Sequence, residues 1–130
     1  MMTTSIDAET EATGKAVLDA AFAVHTELGP GLLESIYEAC LEKELKNRKI
    51  AFKRQQVFAL HYRGELLDSG LRLDFVVGNC VVVELKALES LLPIHRAQLM
   101  TYLKLSGKRL GYLINFNSVH LRDGIKRIVI

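Results

Sequence analysis

From Ala8 to Leu28, apolar and small residues recur at three- and four-residue spacing: Ala16, Val17, Ala20, Ala21, Val24 and Leu28. A helix buries such a stripe on one face, so this segment is expected to be helical. Gly29-Pro30-Gly31 breaks it. A second stripe, Leu33, Ile36, Tyr37, Cys40, Leu41 and Leu45, predicts a helix over about residues 32–49. At about 100° per residue, Glu34 falls at the edge of that stripe and Glu38 farther out. Glu34 is therefore expected to point along the packed face. The pattern then turns to β: "AFKRQQVFALHY" (51–62), a turn at Arg63-Gly64-Glu65, "LLDSG", "LRLDFVV" (71–77) and "CVVVELKAL" (80–88). Pro93, suited to a first helical turn, opens a third helix to about Leu105. "KRLGYLINF" (108–116) reads as a further strand, and "VHLRDGIKRIVI" as a small hairpin around Asp123-Gly124. This order gives an α/β or α+β fold with a mixed sheet.

A length of 130 residues suggests one domain with one real core. Residues 1–7 are expected to be disordered and 8–130 to form that domain. A net charge of +2 neither announces nucleic-acid binding nor excludes a local basic patch. Cys40 and Cys80 lack metal-ligand spacing and read as buried thiols in a reducing compartment. No apolar run approaches the roughly 18–20 residues that cross a membrane. "MMTTSIDAET" lacks the pattern of a signal peptide. A cytoplasmic location is the expectation.

One stretch needs a chemical explanation. In "CVVVELKALE" (80–89) a buried-looking strand runs into Glu84 and Lys86. Alternation puts both on one face with Val82. Burial of either charge alone is costly, so they pair or face a site that uses charge. Asp74, in "LRLDFVV", is expected on the face opposite Leu73 and Phe75. Whether it shares a face with Glu84 depends on the connection. A two-residue Gly78-Asn79 turn would set Asp74 opposite Val83, whereas a loop of three or five residues would set it opposite Glu84. If the face is shared, the two carboxylates repel, and a divalent cation would remove that penalty. Oxygen ligands favour Mg²⁺ or Mn²⁺. Glu34 could add a third carboxylate, and Lys86 could orient water or stabilise charge on a phosphate. Gln98 and Tyr102, four apart in "HRAQLMTYL", share a helix face suited to holding a nucleotide or water.

This order of acid, Asp, Glu-x-Lys and Gln-x-x-x-Tyr resembles the PD-(D/E)XK nuclease superfamily, with Gln98 and Tyr102 similar to its RecB-like branch. "LGPGLLESIYEACL" (28–41), with Gly31, Glu34 and Tyr37, together with "LRLDFVV", "VVVELKAL", "HRAQLMTYLKLSG" and "LINF", resembles the small GxxExxY protein family. The resemblance implies a restriction-endonuclease-like central mixed sheet flanked by helices, with an N-terminal helical hairpin. It implies metal binding by Asp74, Glu84 and the Leu85 carbonyl, a catalytic Lys86, and Glu34 at the acidic position of the first motif. Leu73 stands where the superfamily's Pro-Asp dipeptide has proline.

The leading expectation is a Mg²⁺- or Mn²⁺-dependent phosphodiesterase acting on nucleic acid, with DNA favoured. Its catalytic set is Glu34, Asp74, Glu84, Lys86 and Gln98, and Gln98 and Tyr102 contact the nucleic acid. A homodimer or protein partner could complete the substrate groove. The alternative is an inactive nuclease fold kept as a nucleic-acid-binding or protein-interaction module. Taken singly, each motif has a plainer reading. Glu84 and Lys86 suit a structural ion pair, Glu34 a first-turn helix acid, Gln98 and Tyr102 helix packing, and the scattered Lys and Arg residues a solvated surface.

Overall fold

The computed structural model describes residues 5–130. Helix α1 spans Ala8–Leu28 and α2 spans Glu34–Asn47; strands β1 (Phe52–Tyr62), β2 (Glu65–Val77) and β3 (Val81–Lys86) follow. Helix α3 (Pro93–Ser106), β4 (Leu110–Asn115), a 3₁₀ turn (Leu121–Gly124) and β5 (Ile125–Val129) complete the chain. Of residues 1–7, the first four lie outside the described residues. Within the rest, Ile6 packs against the core. Asp7 caps α1, its carboxylate accepting from the Thr10 N–H at 2.8 Å.

The sheet order is β1-β2-β3-β4-β5. All neighbours are antiparallel except β3 and β4, which are parallel and joined through α3. The two faces carry separate apolar clusters. Val17, Ala20, Val24, Tyr37 and Leu41 of α1 and α2 pack on Phe75, Val83, Leu85 and Tyr112. Leu99 and Leu103 of α3 pack on Leu73, Val76, Val82, Leu113 and Ile128. The result is a mixed five-stranded sheet between helical layers, a restriction-endonuclease-like architecture with an N-terminal helix pair. Gly111 permits the close seat of α3: a Cβ there would lie 3.1 Å from Leu99 Cδ1 and 3.2 Å from the Leu103 methyls.

Four details differ from the sequence expectation. β2 is one continuous strand of 13 residues, reached from β1 by a tight turn with Arg63 and Gly64 at positive φ. The tail forms no hairpin of its own. Asp123-Gly124 closes a 3₁₀ turn, and β5 instead pairs with β4, satisfying that strand's outer edge. The buried stripe of α2 is turned toward the acids. Tyr37, Leu41 and Leu45 are buried, whereas Leu33 is 70% exposed just outside the helix and Ile36 is 39% exposed.

The fourth difference matters most. Strict alternation would put Leu73 and Phe75 on one face, yet Leu73 packs under α3 and Phe75 under α1 and α2. The sheet changes face at Asp74. On β1, Arg54 pairs with Phe75 and Gln56 with Leu73, while Gln55, which falls opposite Asp74, has φ of 53°.

Candidate active site

Val77 pairs with Val81, so the loop between β2 and β3 is the three-residue Gly78–Cys80, not the two-residue turn. Gly78 and Asn79 both have positive φ, the conformation that glycine and asparagine adopt most readily. Extending the register from Phe75 opposite Val83 sets Asp74 opposite Glu84. The odd loop therefore brings the two acids together.

At this point the carboxylates replace the regular ladder. The Asp74 N–H donates to Glu84 Oε2 at 2.7 Å, and the Leu85 N–H donates to Asp74 Oδ2 at 2.9 Å. Each acid thus caps a main-chain amide of the other strand and keeps its second oxygen for another partner. Glu84 is only 5% exposed. Burial, and next the charge of Asp74, push its carboxyl up to about 8. Asp74 is also raised, chiefly by burial, against the lowering effect of the Leu85 N–H. Two acids held together at such cost resist ionising together unless a cation joins them.

Lys86, on the same strand face, favours the charged form of Glu84 from a distance without pairing with it. Among the described ion pairs none joins them. Lys86 Nζ instead donates to Gln98 Oε1 at 3.4 Å, so the structural ion-pair reading of these two residues does not hold. Gln98 is half-buried on α3, one turn before Tyr102, whose hydroxyl is raised by burial and by the charge of Glu84. The Gln-x-x-x-Tyr face thus meets the acids and the lysine.

Glu34 stands exposed in the first turn of α2. Its carboxyl is raised by burial and by Asp74, and lowered by Lys86. Its position is fixed from behind. Tyr37 Oη donates to the Gly29 carbonyl at 2.6 Å and accepts from the Leu32 N–H at 3.1 Å, locking the Gly-Pro-Gly turn that leads into the helix. Glu34 lies within electrostatic reach of Asp74, yet among the described residues no three His, Cys, Asp or Glu side chains converge as a ready metal cage. Leu85 lies between the two charged residues with its N–H on Asp74 and its side chain in the core.

Glu38, expected to lie away from the packed face, sits beside the site with its side chain 12% exposed. Its Oε2 accepts from Arg54 and its Oε1 from Gln55. The four-residue spacing from Glu34 was a sequence signal that both acids share a helix face. Nothing in the sequence marked Arg54 or Gln55, which depend on the kink in β1. Asn115 is a further residue that sequence reasoning missed. Its buried amide accepts from the Leu88 N–H and donates to the Leu88 carbonyl, both at 3.0 Å, holding the segment just after Lys86. His25 Nε2 donates to the Ser118 carbonyl at 2.8 Å. His95 Nδ1 accepts from the Leu92 N–H and so caps α3.

The family model of the PD-(D/E)XK nuclease superfamily matches residues 11–128, nearly the whole chain. The chain belongs to this superfamily. PD-(D/E)XK proteins are generally metal-dependent nucleases that bind nucleic acid. No curated protein matches the chain. Among solved structures, SSO0001 is similar to this PD-(D/E)XK protein with a TM-score of 0.55 and 20% identity. The likeness covers 92% of this chain and 58% of that one. At that identity it speaks for the fold alone, and the chain spans little more than half the length of SSO0001. No helix among the described residues is long and apolar enough to cross a membrane.

Proposed function

We propose that this protein is a metal-dependent nuclease hydrolysing phosphodiester bonds, with DNA as its substrate and Mg²⁺ or Mn²⁺ as its cofactor. The observation that carries this reading is the opposed pair Asp74 and Glu84, buried together, with no cationic side chain among the described residues within ion-pair distance of either and with Lys86 on the same strand face. The donor set fits a hard cation. It offers carboxylate oxygens with lone-pair positions left beside their amide bonds, on two acids that a cation would let ionise together. Asp74 and Glu84 would hold the cation, the Leu85 carbonyl is its neighbour in the chain, and Glu34 would act from the rim of the site. Mg²⁺ characteristically keeps several waters and needs only one or two carboxylates.

A divalent cation supplies Lewis acidity at the phosphate and lowers the pKa of a bound water. The rest falls to the chain. Lys86 Nζ, steadied by Gln98, stabilises negative charge on a phosphate oxygen or orients the attacking water. Gln98 and Tyr102 present an amide and a ring to a nucleotide on the α3 side. Glu34 adds an acceptor for water at the open edge. Within the superfamily we place the chain with the GxxExxY proteins and the RecB-like branch. The motif residue Tyr37 clamps the turn that positions Glu34, which gives the spacing of that motif a physical reason. Unbridged Cys40 and Cys80 fit a cytoplasmic setting, and a homodimer or protein partner would extend the short substrate groove.

The test is a separation of binding from chemistry. Lys86→Ala should lose cleavage of DNA while retaining Mn²⁺ affinity within a few-fold of wild type. Cleavage at the wild-type rate by this variant would remove Lys86 from the mechanism.

A further inference from the structure

In a regular strand, neighbouring side chains point to opposite faces, so Arg54 and Gln55 should not reach the same group. Here both bond Glu38. Arg54 Nε donates to Glu38 Oε2 at 2.9 Å, and Gln55 Nε2 donates to Glu38 Oε1 at 2.7 Å. The positive φ of Gln55, 53°, turns its side chain back toward α2. That conformation is uncommon for a residue other than glycine, asparagine or aspartate, and it is held only where the surroundings over-determine it. Gln55 Nε2 also lies 3.3 Å from Asp74 Oδ1. Both neighbours are acceptors, so the amide must present its NH₂ group to them, and Glu38, itself anchored by Arg54, fixes that orientation. Asp74 is then held at both oxygens, by Leu85 N–H on Oδ2 and by Gln55 on Oδ1.

We propose that Gln55 is a positioning residue for the metal site: oriented by the Glu38–Arg54 pair, its carboxamide fixes the plane of the Asp74 carboxylate for a divalent cation. This rests on the reading of Asp74 as a metal ligand. Partners that orient a ligating carboxylate typically contribute 10–100-fold to metal affinity. The kink at Gln55 and the change of face at Asp74 are two sides of one device. It carries a side chain from the edge strand β1 to the acid on the neighbouring strand β2.

The experiment is calorimetric titration of the full chain with Mn²⁺ alone, for wild type, Gln55→Gly, Gln55→Asn and Asp74→Asn, with melting temperatures in chelator and in Mn²⁺. Glycine accepts the positive φ, so Gln55→Gly removes the carboxamide and leaves the kink. Asparagine accepts it too but is one methylene short of bridging Glu38 and Asp74. The expected result is loss of Mn²⁺ binding in Asp74→Asn and affinity weaker by about 10-fold or more in both Gln55 variants. Their melting in chelator should stay close to wild type, and their Mn²⁺-induced stabilisation should shrink. Wild-type affinity in Gln55→Gly, with binding lost in Asp74→Asn, would overturn the positioning role and leave the metal site standing. Lower melting in chelator with unchanged affinity would make Gln55 merely structural. Unchanged binding by Asp74→Asn would defeat the metal-site reading itself, and the role of Gln55 with it. Should Gln55→Gly fail to fold, Gln55→Asn and Glu38→Gln carry the same comparison.

Discussion

Replacing Glu84 with glutamine removes a charge that the fold holds against its burial. Glutamine keeps a carbonyl oxygen to accept from the Asp74 N–H and mimics the protonated acid in shape. The carboxyl sits at about 8 in the folded protein against an ordinary 4.5. That gap corresponds to an upper limit on the order of 5 kcal/mol opposing ionisation. Because the folded value is the higher one, the folded protein binds more protons than the unfolded chain between these two values. The stability linked to Glu84 is therefore fully present below about 4.5 and is lost as pH rises through about 8. Asp74, also raised, acts in the same direction. In chelator, urea unfolding of wild type should show stability falling by about 2–4 kcal/mol between pH 5 and 8.5, beyond the fall in Glu84→Gln. The two proteins should be closely matched near pH 5. Parallel profiles across the range would refute the claim that Glu84 is forced to ionise against its surroundings.

The other expectations concern metal and frame. Because Glu84 must shed a proton to become a ligand, Mn²⁺ affinity should rise about tenfold per pH unit from pH 6 toward 8; a flat profile by calorimetry would oppose that role. Tyr37→Phe leaves the Gly29 carbonyl and Leu32 N–H without their shared partner, and should cost about 1–2 kcal/mol in a thermal melt. Asn115→Ala removes the two hydrogen bonds it makes to Leu88, leaving the N–H without a side-chain partner and the carbonyl with only the exposed Asn117 amide, and should destabilise by about 1–3 kcal/mol in urea. A melt within 0.5 °C of wild type for either variant would contradict the bonding described.

Much of the frame was legible because periodicity is local. α1 begins and ends where the apolar spacing and its breakers place it, and Pro93 and Gly107 bound α3. Asp74, Glu84 and Lys86 could be nominated from the sequence because acids in apolar strands demand a reason. Whether they meet was not legible. It depended on the parity of one loop, and three residues or two is a choice made by backbone angles at Gly78 and Asn79. The rotation of α2 was misjudged because Leu33 and Ile36 look like core, yet Leu33 falls outside the helix. Glu38 then turned inward to meet Arg54 and Gln55. That group arises from a left-handed residue inside a strand, and neither composition nor spacing encodes such a kink. The pairing of β5 with β4 is likewise a tertiary choice that overrode the local turn signal at Asp123-Gly124.

Cleavage itself is the measurement that decides whether Asp74 and Glu84 serve a nuclease. Wild type and Glu84→Gln are incubated with linear and circular DNA, single- and double-stranded, and with RNA, in Mn²⁺ or Mg²⁺ and in chelator. Metal-dependent cutting of DNA by wild type is expected, abolished by chelator and by Glu84→Gln, with attack on circular DNA marking an endonuclease. Absence of cutting by wild type on every substrate, or undiminished cutting by Glu84→Gln, would contradict it.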